Sequence, residues 1–406
     1  MGRFFIRGGV RLGGEISVGG SKNAALPIIF SCILIYGKST LKNLPDITDV
    51  EVALDILRDF GASVHRIDDG VIIDTTTLNY RTPDARKVSK IRASSYLIGA
   101  CLSRFGRAEL QSFGGCNFDN RPIDMHLAAA LAHGAKIDGS TLSADRLVGG
   151  DIAFDKISVG ATVNALLLSV SARGESRIYG YAREPHVASL IEFLNRAGGR
   201  IEVFDNFIAV RGETLGSSHA NIISDMIEAG SYLALSLATD AKIKVLGADA
   251  DQLKSFTSAC VSGGAVAEIG EGTIAFSARI TKPLDFVTAP YPEFPTDLQP
   301  LMAPVMASSS GGSIVEGVFR NRFGYLAELA KFGVRFENGD GCAVIYKSHL
   351  HPARATATDL RCGSALLIAA LCADGESIID GSEIIKRGYS DIVNKLRRIG
   401  AKIEEI

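Results

Sequence analysis

Six times along the 406-residue chain an amphipathic segment closes on a glycine, at Gly61, Gly134, Gly198, Gly264, Gly333 and Gly400. The intervals are 73, 64, 66, 69 and 67 residues, a regularity that marks a repeated supersecondary unit rather than six unrelated turns. Each copy begins with an apolar run, among them "NAALPIIFSCILIYG", "VNALLLSVSARG", "GSYLALSLATD" and "SALLIAALCADG". These runs lack the polar face of a surface helix and predict buried helices. The second helical segment differs: Ala53, Ile56, Leu57 and Phe60 stand at i, i+3, i+4 and i+7, which predicts a single apolar face. With the short β runs around them, the copies predict six β-α-β-α-β units in an α/β (α+β) fold.

Six units divide into three and three. Periodicity lapses in "GETLGSSHANIISD", around Ser218 to Ser224, which predicts one domain over residues 22–224 and a second formed by 1–21 with 225–406. The stretch "RFFIRGGVRLGGEISVGG" then supplies strands to the second domain. With 43 basic and 45 acidic residues the formal charge is −2, so no global attraction for nucleic acid or anionic lipid is expected and any anion site must be local. No apolar run reaches the roughly 18 residues of a membrane helix, and "MGRFFIRGG" lacks a signal peptide's apolar core, so a soluble, cytoplasmic protein without membrane insertion is expected. Seven cysteines without a CxxC pair read as thiols, and seven scattered histidines give no metal-ligand spacing.

The polar residues recur in phase with the repeat. At or just before the first helices stand Lys22 and Asn23, Arg92, Lys156 with Ser158, Asp225 with Glu228, Asp297, and Asp359 with Arg361; before the second helices stand Asp49, Arg121, Glu184, Arg322 and Arg387. The acids in these places serve equally as helix caps. The arginines do not, because a cation at a helix N-terminus opposes the dipole unless an anion is bound. Arg92, Arg121, Arg361 and Arg387 therefore predict a site for phosphates or carboxylates in a cleft between the halves.

Cys32, Cys101, Cys260, Cys342 and Cys372 have apolar or small neighbours and read as buried, whereas Cys362, next to Arg361, reads as closer to the cleft. Cys116 lies in "SFGGCNFDNRPIDMH", between Gly114-Gly115 and the polar Asn117, Asp119 and Asn120, which predicts an exposed loop. Lys22 and Arg121 would favour its thiolate and Asp119 would oppose it. The residues alone leave a reactive and a packed thiol both open.

Nine blocks, "SKNAALPI", "IRAS", "GGCNFDNRPIDMH", "DKISVGATVNALL", "AREP", "EFPTDLQP", "NRFGYLAEL", "ATDLR" and "KRGYSDI", occur in an order and spacing that resembles the UDP-N-acetylglucosamine 1-carboxyvinyltransferase family of enolpyruvyl transferases. The resemblance runs from about residue 3 to the end. It implies a two-domain inside-out α/β barrel like that of 5-enolpyruvylshikimate-3-phosphate synthase, with three repeats per domain and the site in the interdomain cleft. The implied reaction moves the enolpyruvyl group of phosphoenolpyruvate to the 3′-hydroxyl of UDP-N-acetylglucosamine with release of phosphate, the first committed step of peptidoglycan synthesis. A role in cell-wall formation, cell shape and division would follow, along with sensitivity to fosfomycin. No cofactor and no obligate protein partner are implied.

On the same resemblance Cys116 delivers a proton to C3 of phosphoenolpyruvate and Asp297 helps deprotonate the sugar hydroxyl. Lys22, Asn23, Arg92, Arg121 and Arg387 would hold phosphoenolpyruvate, with Lys22 and Arg387 also catalytic. Asn23, Arg92, Arg121, Pro122, Ile123, Asp124, Met125, Lys156, Ser158, Val159, Gly160, Asp297 and Val318 would contact the sugar nucleotide, while Arg322, Asp359 and Arg361 would lie in the cleft. The loop departs from the family's usual pattern at Phe113, Asn117, Phe118 and Asp119, and His186 replaces a usual acid. Two other readings compete: 5-enolpyruvylshikimate-3-phosphate synthase, which lacks the GGC…RP loop, and a non-catalytic paralogue that binds a UDP-sugar.

Overall fold

The computed structural model describes residues 2–114, 122–320 and 322–406. Each repeat contributes an apolar helix and an amphipathic one, numbered here in chain order. They are α1 (Lys22–Ser31), α2 (Thr48–Asp59), α3 (Leu97–Phe105), α4 (Asp124–Ala132), α5 (Val159–Ser169), α6 (Pro185–Arg196), α7 (Met226–Thr239), α8 (Lys254–Ser262), α9 (Gln299–Ser308), α10 (Tyr325–Ala330), α11 (Leu360–Cys372) and α12 (Ile392–Arg398). The odd-numbered helices are enclosed on nearly every side: Ala24–Ser31 of α1, Ala161–Ser169 of α5, Ile227–Leu237 of α7 and Leu360–Leu371 of α11 are unbroken runs of buried residues. The even-numbered helices bury one stripe, as Val50, Ala53, Leu54, Ile56 and Leu57 of α2 illustrate.

All six repeat glycines have left-handed backbone angles, with φ between +86° and +106°. The same two hydrogen bonds recur at each. Gly61 N–H donates to Arg58 and Ala62 N–H to Leu57; at the far end of the chain Gly400 N–H donates to Arg397 and Ala401 N–H to Leu396. This doubly bonded C-cap satisfies the last carbonyls of the helix and needs a residue without a Cβ penalty at its left-handed position.

The chain divides into two compact units. One comprises residues 20–114 and 122–223 among those described, the other 2–19 and the described residues from 224 to 406. In the first, α3 touches both α1 and α5; in the second, α7, α9 and α11 touch one another. Each unit has its own apolar core. Around the inner helices of the second unit stand three four-stranded sheets, and the first unit carries two such sheets and one of three strands among the described residues.

The stretch where periodicity lapses contains the strand Ser218–Asn221, which runs parallel to Lys38–Lys42 and completes the sheet of the first repeat. Four residues are too few to show a strand pattern in sequence, hence the apparent linker. The N-terminal strands Arg3–Gly8 and Gly13–Ser17 enter two sheets of the second unit, the former between Gly375–Asp380 and Lys402–Glu405, the latter beside Lys242–Leu246. No helix among the described residues is long and apolar enough to cross a membrane.

Candidate active site

In the second unit, Asp297 stands two residues before α9 and receives two arginines. Arg322 Nη2 donates to Oδ1 at 2.6 Å and Arg361 Nη2 to Oδ2 at 2.9 Å. Both guanidiniums are buried, while the carboxylate keeps 30% of its surface exposed. Burial raises the Asp297 pKa, but the attraction of Arg361 and Arg322 outweighs it and holds the carboxyl well below the usual range. For Arg361 burial works against the charged form and Asp297 more than offsets it, leaving the guanidinium firmly protonated.

Both arginines are braced from behind. Arg322 Nη1 donates to Thr296 Oγ1 at 3.0 Å, and the Thr296 hydroxyl donates to Glu316, which also accepts Val318 N–H and Phe319 N–H at 3.0 Å each. Arg361 Nη1 reaches the Tyr389 hydroxyl at 3.5 Å, and that hydroxyl shares a 2.6 Å hydrogen bond with Ser231 on α7. Asp359 caps α11 by accepting Arg361 N–H and Cys362 N–H at 2.9 and 3.0 Å, and Asp225 caps α7 in the same way. Buried Glu228 accepts from Lys395, from the Tyr232 hydroxyl and from Gly19 N–H. Arg387 is half-buried at the end of the short helix Ser382–Lys386.

In the first unit, Lys22 and Asn23 open α1, and Lys22 Nζ lies 3.7 Å from the buried Asp49 carboxylate. Arg92 opens a 3-10 turn, Arg92–Tyr96, that runs directly into α3. Ser158 caps α5 by accepting Ala161 N–H at 3.3 Å, which places Val159 and Gly160 in the first turn; Lys156 is exposed just before it. Pro122 and Ile123 lead into α4, where Asp124 and Met125 are the first residues. His126 follows, buried, with Nδ1 2.7 Å from the side-chain nitrogen of Asn164 on α5. Burial and then the charge of Arg92 push the His126 pKa down to about 4, with Asp124 pulling the other way.

A family model described as EPSP synthase (3-phosphoshikimate 1-carboxyvinyltransferase) matches residues 6–396. Full-length relatives named UDP-N-acetylglucosamine 1-carboxyvinyltransferase include one from Clostridium acetobutylicum, 38% identical over 100% of both chains, and one from Acinetobacter guillouiae with the same identity and coverage. The chain belongs to the UDP-N-acetylglucosamine 1-carboxyvinyltransferase family. Among solved structures, the enolpyruvyl transferase NikO from Streptomyces tendae aligns with a TM-score of 0.87 at 24% identity over 100% of this chain and 99% of that one. An EPSP synthase from Acinetobacter baumannii aligns at 0.71 and 17% over the whole of both. These two likenesses give the enolpyruvyl transferase fold, so the α/β class read from the repeat stands.

Of the residues that the resemblance to this transferase family marks, Cys116 and Arg121 lie outside the described residues. Asp297, Arg322 and Arg361 form one cluster with Asp359 behind it, and Val318 sits on the loop that Glu316 holds. The anion expected opposite Arg361 is in part the protein's own Asp297 carboxylate. Two cysteines expected to be buried are not: Cys342 is exposed and Cys372 is half-buried, whereas Cys362 lies beside Arg361 as expected. Cys362 is fully buried on α11, burial pushing its thiol up to about 11, because that helix is enclosed on all sides. Cys342 is exposed, because its strand alternates and turns Ala343 and Ile345 inward. Glu316, Thr296, Tyr389, Ser231, His126 and Asn164 were not singled out from sequence. The phase of Thr296 beside Asp297 was the one local signal; the others act through tertiary neighbours.

Proposed function

We propose that this chain transfers the enolpyruvyl group of phosphoenolpyruvate to the 3′-hydroxyl of UDP-N-acetylglucosamine and releases phosphate. The observation that carries this reading is the Asp297 carboxylate gripped by two buried arginines in a chain whose full-length relatives bear that activity in their names. Two guanidiniums and one carboxylate leave a net positive charge, which suits a site for an anionic substrate.

In this reading Cys116 gives its proton to C3 of phosphoenolpyruvate, making C2 electrophilic, and the sugar 3′-oxygen bonds to C2. The hydroxyl proton passes to Asp297. A carboxylate held so strongly ionised is a weak base for an ordinary alcohol, but it accepts a hydrogen bond at neutral pH. It takes the proton late, as bonding to C2 acidifies the hydroxyl. Return of a proton from C3 to the Cys116 thiolate, with cleavage of the C2–O bond and departure of phosphate, then restores the double bond. Lys22, Asn23, Arg92, Arg121 and Arg387 hold the phosphoenolpyruvate anion, and Asn23, Arg92, Arg121 to Met125, Lys156, Ser158 to Gly160, Asp297 and Val318 hold the sugar nucleotide. The product would enter peptidoglycan synthesis in the cytoplasm, and fosfomycin would act at Cys116.

The test is phosphate release by purified protein given phosphoenolpyruvate with UDP-N-acetylglucosamine, against shikimate 3-phosphate as acceptor. Turnover is expected with the first pair only, and its absence there refutes the reading. Cys116→Ser and Asp297→Ala should each lower kcat by on the order of 10²-fold or more, with sugar-nucleotide binding nearly intact in Cys116→Ser. Undiminished turnover in either variant removes that residue from its role.

A further inference from the structure

The polar side chain of Asn164 lies inside the apolar helix α5, fully buried, where an amide is costly unless each of its groups is bonded. Its Oδ1 accepts Gly99 N–H on α3 at 2.7 Å, which fixes the amide's orientation. Nδ2 must therefore be the donor, and it faces Ser95 O at 3.2 Å, Gly160 O at 3.3 Å and His126 Nδ1 at 2.7 Å. A donor at 2.7 Å requires Nδ1 to accept, so the imidazole is neutral with its proton on Nε2. The His126 ring in turn lies against Gly160: a Cβ on that glycine would stand 2.9 Å from Cε1 and 3.2 Å from Nε2.

These contacts join three separate stretches of sequence. Ser95 belongs to the turn that starts at Arg92, His126 follows Pro122 to Met125, and Gly160 ends the Ser158 to Gly160 start of α5. We infer that Asn164 and His126 are positioning residues that hold these three stretches in register as one sugar-nucleotide site. The inference rests on the proposed acceptor, since the three stretches are those assigned to UDP-N-acetylglucosamine above. A purely apolar α5 would fill the core equally well; what Asn164 adds is a bonded node that ties together the Ser95 and Gly160 carbonyls, the Gly99 N–H and the His126 imidazole.

Direct calorimetric binding of UDP-N-acetylglucosamine and steady-state kinetics on the full chain test this together. Asn164→Leu and His126→Leu should weaken binding and raise KM for the sugar nucleotide by tenfold or more, while KM for phosphoenolpyruvate, which shares only Arg92 and Arg121 with these stretches, rises clearly less. His126→Gln, whose carbonyl can accept the Asn164 hydrogen bond, should recover most of the affinity. Equal losses for both substrates, or no rescue by glutamine, would overturn the positioning role. Should the leucine variants fail to fold, NMR on the wild-type protein decides. Imidazole signals of His126 should report the Nε2–H tautomer and move on saturation with UDP-N-acetylglucosamine, whereas the exposed His219 should not; a static or Nδ1-protonated His126 refutes the inference. Variants that all bind the sugar nucleotide with wild-type affinity defeat this inference alone, and wild-type protein that does not bind it at all defeats the functional reading as well.

Discussion

Removing one arginine from the Asp297 cluster leaves the other to answer a carboxylate in a largely dehydrated place. Breaking a buried pair in this way costs about 3–5 kcal/mol, and the partial exposure of Asp297 puts Arg361→Met near the lower end. Arg361→Lys should recover little, because one ammonium cannot span Asp297 and the Tyr389 hydroxyl. Urea midpoints check both, and wild-type stability in Arg361→Met would show the pair to be energetically idle. His126 makes a prediction with a definite sign. Its folded pKa of about 4 lies below the ordinary 6.5, so between those values the unfolded chain binds more protons. Stability should therefore fall as pH drops from about 6.5 to 4, by up to about 3 kcal/mol from this group. Arg92 and Asp124 are the charges that act on it, with opposite signs. His126→Gln should flatten that part of the stability curve, which unfolding at several pH values measures.

At the scale of elements, the repeat was legible because its signals are local. A run of apolar residues, an i, i+3, i+4 stripe and a closing glycine each act within a few turns of chain, and all six copies fold accordingly. Cys342 shows the limit. Neighbour identity suggested burial for Cys342, but strand alternation decides which side faces out, and the phase of a five-residue strand is weakly written in "CAVIY". The caps themselves can be tested. At Gly134 an added Cβ meets only Val148 Cγ2 at 3.5 Å, so Gly134→Ala isolates the left-handed backbone and should cost about 1–2 kcal/mol. At Gly264 the Cβ would meet Thr281 Oγ1 at 2.4 Å, so Gly264→Ala should cost more. Thermal unfolding of the two variants ranks them, and the reverse order would show that strain at the cap is not what the glycine relieves.

For the whole molecule, sequence order separates what the site needs. Asp297, Arg322 and Arg361 come from three places in the last two repeats and meet only through packing of α9 and α11, so their phase in the repeat hinted at a shared end but not at a shared carboxylate. Asn164 was hidden differently, as one polar letter in an apolar helix, and only its four partners reveal its task. The two units also have separate cores, joined by the chain where it passes residues 19–20 and 223–224. Separate cores predict two cooperative steps in calorimetry, with a measured enthalpy larger than a single van't Hoff transition allows. The proposed contacts fall in both units, Arg92 and Ser158 to Gly160 in one, Asp297 and Val318 in the other. A ligand at 100 times its Kd stabilises whatever it binds by about 2.7 kcal/mol. UDP-N-acetylglucosamine should therefore move both steps upward or fuse them into one. A shift confined to a single step would mean that the sugar nucleotide engages one unit alone, and the assignment of either Asp297 and Val318 or the Arg92 and Ser158 set would have to be withdrawn.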